Sequence, residues 1–216
     1  MANFPGSPLL VKGGIVLIDP NSGAIQQIIA LQYNPDTLSR TLQVQGVGEK
    51  ANPSEALRLK GPAVETFKVE AEIDATDQLE VSDQTAVQVG LYPQLAVLET
   101  LIYPASSDLI SNNNLAQAGT LEIIPMEKPL TLFIWSRNRI VPVRLTDFSV
   151  TEEAFDPMLN PIRVKVSLGM RVLSVDDLGF DTQGGNLFMA YLMQKEQLAT
   201  RAPAAALSAL GINSIP

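Results

Sequence analysis

FSVTEEAFDPMLNPIRVKVSLGMRV, running from Phe148 to Val172, is the stretch whose pattern decides the fold. In its second half Ile162, Val164, Val166, Leu168, Met170 and Val172 alternate with Arg163, Lys165, Ser167, Gly169 and Arg171. A period of two held without a miss predicts a long strand with one buried face. The run Asp156-Pro157-Met158-Leu159-Asn160-Pro161 is dense in chain breakers and predicts the turn before that strand. An extended segment precedes the turn, so the unit reads as a long β-hairpin. Further upstream the apolar phase switches from Val141, Val143 and Leu145 to Phe148 and Val150. A one-residue phase change inside a strand predicts a β-bulge at Thr146-Asp147.

The hairpin's apolar face has a fixed register, because burying each large side chain is worth about 1.5–3 kcal/mol. Its other face carries Arg163, Lys165 and Arg171, which must meet water, a lumen or another subunit. Acidic neighbours such as Glu70 and Glu72 are natural partners for these cations.

Composition narrows the function. The chain has 216 residues, 46% of them hydrophobic and 18% charged, as expected of a folded domain. A net charge of −8 argues against a nucleic-acid partner, since phosphate binding needs clustered Lys and Arg. Cysteine and histidine are both absent, which excludes disulfides, Ser-His and Cys-His nucleophiles and most zinc sites. No apolar run reaches the length of a membrane span, and the N-terminus lacks the pattern of a secretory signal. Cytoplasmic synthesis, no cofactor, no metal and no enzymatic activity are therefore expected. The acidic series Asp74, Asp77, Glu80 and Asp83 lacks the spacing of a calcium loop and reads as a solvated loop. Trp135 reads as core packing. A hydrolase built on a carboxylate pair is disfavoured, because no compact acidic pair sits at a strand end.

Along the rest of the chain, strands are expected at Gly14–Pro20, Ala24–Tyr33, Thr37–Gln45, Glu65–Ile73 and Leu130–Ser136, with the Arg137-Asn138 turn leading into the next. Leu38, Leu42 and Val44 are the apolar members of the third of these. Val47–Pro62 and the Ser- and Asn-rich Ala105–Gly119 read as loops, and Asp176-Asp177 as an acidic loop. One helix follows Tyr92, with Pro93 in its first turn and Leu95, Leu98 and Leu101 as its stripe. A second runs from Asn186, as N-cap, to about Ala199, with Leu187, Tyr191 and Leu198 on one face. The domain plan is an arm at 1–13, a β domain at 14–200, and an Ala/Pro-rich tail at 201–216. The fold class is mainly β (α+β).

Four segments, LQYNPDTLSRTL at Leu31–Leu42, PAVETFKVEAEIDATD at Pro62–Asp77, YPQLAVLETLIYP at Tyr92–Pro104 and the run Leu132–Leu173, resemble in order the tube-type baseplate proteins of contractile injection systems, which are phage-tail-like particles. Within that family the chain is most similar to the tube initiator, or spike-to-tube adaptor. The resemblance implies a tail-tube-like fold of two packed antiparallel sheets, β-barrel in type, with a flanking helix and long assembly hairpins. It implies a homo-hexameric ring that joins the spike and baseplate hub to the inner tube and templates tube polymerisation. Phe155, Asp156, Pro157, Asn160, Pro161, Arg163, Lys165 and Arg171 are then the expected assembly interface. The spike and adjacent tube or baseplate rings are the expected partners, in a particle assembled in the cytoplasm that is released or membrane-attached. Family members with the adaptor role commonly carry a LysM module, and the residues after the second helix are too few for one. The alternatives are a main inner-tube or tube-terminator protein of the same machine, or a free-standing ligand-binding β module.

Overall fold

The structure is a computed structural model, and it describes residues 11–46, 58–119 and 128–215. Most of the expected N-terminal arm and of the Val47–Pro62 loop lies outside those residues. The strands are β1 (Gly14–Ile18), β2 (Ile25–Ala30), β3 (Leu38–Gln43), β4 (Val64–Asp74), β5 (Leu130–Ser136), β6 (Arg139–Phe155) and β7 (Pro161–Val172). They form one seven-stranded antiparallel sheet in the order β2-β1-β5-β6-β7-β4-β3.

Alternation dictates the core. On β7 Val164, Val166, Leu168, Met170 and Val172 are buried, and on β4 Phe67, Val69 and Ala71 are. The predicted bulge is present: Leu145 pairs with Met170 and Asp147 with Gly169, leaving Thr146 as the extra residue. Gly169 is required opposite it, since a Cβ there would lie 2.8 Å from the Cβ of Asp147.

The expected pair of packed sheets takes the form of a single sheet curled on itself. β4 and β5 are separated by two strands, so their facing residues would lie about 14 Å apart in a flat sheet. The rings of Phe67 on β4 and Phe133 on β5 are instead 5.4 Å apart. The inner face thus closes over one core that also takes in Ile15, Leu95, Phe188 and Tyr191. Trp135 packs on Phe133 at 5.9 Å and against Gly13, a structural role.

The curl does not complete a barrel, which corrects that expectation. β2 and β3 are both edges. β3 covers β4 only as far as the Leu38–Val69 pair, so on that side Glu70–Asp74 have no strand neighbour among the described residues, while β7 pairs with them on the other. There the side-chain amide of Gln32 stands in for one. Its Nε2 donates to the Asp74 carbonyl at 2.8 Å, and its Oε1 accepts from the Asp74 N–H at 2.9 Å.

Among the described residues six α-helices flank the sheet: α1 (Thr76–Glu80), α2 (Gln84–Val89), α3 (Tyr92–Glu99), α4 (Ser106–Gln117), α5 (Val175–Leu178) and α6 (Gln183–Ala199). α3 is the helix expected after Tyr92, with Leu95 and Leu98 buried. Four expectations need correction. The acidic stretch after Asp74 forms α1 and α2, because Asp83 caps α2 by accepting from the Ala86 N–H. The Ser- and Asn-rich stretch is α4, a helix that buries no side chain and so leaves no apolar stripe to read. Asp176-Asp177 belongs to α5, closed by a capping box between Ser174 and Asp177. α6 starts at Gln183 with Thr182 as N-cap, not at Asn186, and its buried side chains are Phe188 and Tyr191 while Leu198 is exposed. Leu42 and Val44 on and after β3 are also exposed, as suits an edge. The tail carries a short 3-10 turn at Leu207–Leu210.

Candidate assembly surface

The hairpin of β6 and β7 runs on beyond β5, flanked by β4 along β7 as far as the Asp74–Arg163 pair. β5 pairs with β6 only through Val143, whereas β7 pairs with it from Val143 to Phe155. From Arg144 onward β6 therefore has a strand on one side and, among the described residues, none on the other.

The direction of its free hydrogen-bonding groups follows from the register. The N–H and C=O of Asp74 point to Gln32, away from β7. Its partner Arg163 then points its own groups toward β6. Alternation carries this along β7, so Lys165 and Ser167 bond Thr151 and Ser149 of β6. The backbone groups of Phe148, Val150 and Glu152 face the open side.

The turn at the tip is locked from within. One Asp156 carboxylate oxygen accepts from the backbone N–H groups of Met158 at 2.7 Å and Asn160 at 2.8 Å, and the other accepts from Asn160 Nδ2 at 2.8 Å. Asn160 Nδ2 also reaches the Gln88 carbonyl at 3.2 Å, tying the tip to α2. Leu159 has φ of 66°, a left-handed conformation held by these bonds. Outward, the tip presents Phe155, Met158 and Leu159, the last two 81% and 72% exposed.

The polar face is of mixed sign, which corrects its reading as basic. Arg163 Nε donates to Asp74 Oδ2 at 2.8 Å and lies 3.6 Å from Glu72. Lys165 meets Glu153 at 2.7 Å, and Arg171 meets Asp177 at 2.9 Å. The expected Glu72 pairing holds. Glu153 becomes available because a second register shift, between Glu152 and Ala154, leaves it as an extra residue.

Of the expected interface residues, Phe155, Pro157, Arg163 and Lys165 are exposed, Asp156, Asn160 and Arg171 are half-buried with internal partners, and Pro161 is buried. A cluster that sequence reasoning missed lies on the inner face. Glu65, 4% exposed, accepts from the Tyr191 hydroxyl at 2.8 Å and from Lys195 Nζ at 2.6 Å, with Arg40 3.7 Å away. The signal was available in the Tyr191–Lys195 spacing of one helical turn and in the odd-numbered position of Glu65, on the apolar side of β4.

Several carboxyls on this surface are held below the usual range. Asn160 does so for Asp156, by its side-chain and then its backbone donor. Burial pushes Asp74 upward, but the Thr76 hydroxyl, the Thr76 N–H and Arg163 outweigh it. At Asp177 burial is likewise overcome by the Ser174 N–H and Arg171. A carboxyl with a lowered folded-state pKa contributes stability above its unfolded value of about 3.9, lost as pH falls through the folded pKa. The chain has no histidine. The thermal midpoint is thus expected to stay level from about pH 6 to 8 and to fall only below about pH 4. A midpoint that drops between pH 7 and 5 would contradict this.

No protein-family model matches the chain, and no curated protein matches it. Among solved structures it is similar to a chain in the tail of an empty GTA particle with C6 symmetry, at 14% identity over 74% of this chain and 90% of that one, with a TM-score of 0.29. It is also similar to a chain in the virion of a native gene transfer agent (GTA) particle, at 13% identity over 73% and 90%, with a TM-score of 0.26. Likenesses this slight carry no argument about the fold or the role.

Proposed function

We propose that this chain is a structural ring subunit of a phage-tail-like contractile injection particle. In this reading it sits between the spike or baseplate hub and the inner tube, and its hexamer templates tube polymerisation. The observation that carries the reading is the open edge of β6 beyond Val143, on a hairpin whose apolar tip no other described element covers. A soluble monomer blunts such an edge with proline, inward charges or a covering segment. Here Val150 lies between Ser149 and Thr151, a stretch open to a neighbour's strand. A ring needs unlike surfaces that meet head to tail, and the open edges of β2 and β3 supply the second surface. The ordered family motifs point the same way. The particle would be assembled in the cytoplasm, with the spike and adjacent rings as partners.

A main inner-tube or tube-terminator protein would use the same edges, and copy number separates the readings: six per particle mark an adaptor or cap, and hundreds mark a tube. A free-standing ligand-binding module would instead be a stable monomer in light scattering at all concentrations.

Glu152→Pro tests the edge directly. The exposed Glu152 directs its N–H to the open side, so proline there removes a donor that the monomer does not use. The expected result is a thermal midpoint within a few degrees of the parent and loss of rings by light scattering, with Glu152→Ala keeping them. Normal rings from the proline variant would sink the role of this edge.

A further inference from the structure

Charge is unevenly placed along the chain. From Val69 to Gly119 there are eight carboxylates and no Lys or Arg. The fold gathers much of that stretch at the Asp74 end of β4. α1 follows Asp74 directly, and the Ala75 N–H donates to the Ile162 carbonyl at 2.9 Å. The Leu91 N–H donates to the Pro161 carbonyl at 2.9 Å, which sets α2 and the start of α3 beside the hairpin tip. This end exposes Val81, Val87, Val89 and Tyr92 as well as Met158 and Leu159. Asp77, Glu80 and Asp83 on the same segment are exposed, and none has an ion-pair partner among the described residues. The opposite end is basic. Glu65 draws in Lys195 and Arg40, and Arg139 lies over the Phe67 ring, 5.5 Å from its centroid. Gln194 donates to Asn138 Oδ1 at 3.1 Å, which holds the Arg137 turn against α6, and Arg201 follows the last turn of that helix. Arg137, Arg139 and Arg201 form no ion pair among the described residues. The carboxylates beside them are the buried Glu65, shared by two cations, and the exposed Glu196.

We infer that copies of this chain associate head to tail, the acidic end of one seated on the basic end of the next. Charge complementarity selects a second copy as the partner, because the surface that matches the acidic end is on the chain itself. It also selects the orientation. Two acidic ends, or two basic ends, would bring like charges together, which excludes a face-to-face dimer through either. Glu65 and Asp74 lie about 30 Å apart along β4, about three Debye lengths at 0.1 M salt. Opposite charges on one chain are thus screened from each other, and each end attracts a neighbour. Both ends also supply the apolar centre that a stable contact needs inside a polar rim. Met193 and Leu198 are exposed on α6 at the basic end, as Val87 and Met158 are at the acidic one. The tip is already fixed by the Asp156 bonds, so seating it costs little ordering. The inference goes beyond the ring reading, which rests on the edge of β6 and not on the two ends of β4.

A charge swap tests it on the full-length chain, followed by light scattering in about 20 mM salt. Asp77→Lys/Glu80→Lys makes both ends basic, and Arg137→Glu/Arg201→Glu makes both acidic. All four side chains are exposed, so thermal midpoints are expected within a few degrees of the parent. Each double variant alone should need about tenfold more protein than the parent to associate. An equimolar mixture of the two should associate as the parent does, because each carries the charge that the other's altered end requires. Parent-like association of either variant alone, or a mixture no better than its parts, would overturn the inference. The swap is then repeated with Glu152→Pro in both chains. Rescue that persists there belongs to the ends of β4, whatever becomes of the β6 edge. Rescue that vanishes there would assign the charge effect to the ring contact and overturn the head-to-tail inference.

Discussion

Gly185→Ala is expected to destabilise the chain by about 3 kcal/mol or more, lowering the thermal midpoint by roughly 6–12 °C. The reason is one distance. A Cβ at this position would lie 1.9 Å from the Gly179 carbonyl oxygen and 3.3 Å from Cα of Phe180. Both obstacles are backbone, so no rotamer change relieves the overlap. Relief means parting α5 from α6, and that lifts Phe188 and Tyr191 from the core. The same move breaks the Thr182 cap, whose hydroxyl accepts from the Gly185 N–H at 3.0 Å. Gly184→Ala should do less harm, because the nearest obstacle is the Leu178 side chain at 2.5 Å, which can turn away. Calorimetry on the two variants side by side checks the claim, and equal losses would contradict it.

Glu65→Ala is expected to cost about 3 kcal/mol, with most of the loss on the α6 side of the core. Truncation leaves the buried Tyr191 hydroxyl without its acceptor and opens a void beside Phe67. Lys195 and Arg40 are partly exposed, so their charges turn to water at little cost. Lys195→Met should therefore cost less than the carboxylate's loss only if Arg40 and Tyr191 still satisfy Glu65. A double-mutant cycle on Glu65 and Lys195 measures their coupling, expected at about 1–3 kcal/mol. A coupling near zero would mean that the ion pair holds nothing and that Tyr191 alone anchors the helix.

The sheet was legible wherever one face is buried and the other wet. β4 and β7 carry strict alternation, and the phase change at Thr146 located a bulge that the Leu145–Met170 and Asp147–Gly169 pairs confirm. The curl was not legible, because it is set by contacts such as Phe67 on Phe133 between strands far apart in the chain. α4 escaped notice because it buries nothing, so neither stripe nor period marks it. The start of α6 was placed at Asn186, a good N-cap type, whereas Gly184 and Gly185 before it have low helix propensity. They are helical here, packed where α5 leaves no room for a side chain. Of the candidate surface, the turn residues and cations were readable. Their anionic partners were only half so: Glu72 follows from strand pairing, whereas Glu153 depends on a second slip of register near the tip.

The single amide bridge from Gln32 to Asp74 makes the curled sheet a split cylinder with a latch. A closed cylinder of strands is stiff in girth, because widening it breaks a whole ladder at once. At the slit of a split one only the two hydrogen bonds of Gln32 replace that ladder, and the two sides are held instead by the packing of Phe67 on Phe133 and by the Leu31–Thr37 connection between β2 and β3. The girth of this sheet is therefore set by side-chain packing across its interior, not by a continuous ring of backbone bonds.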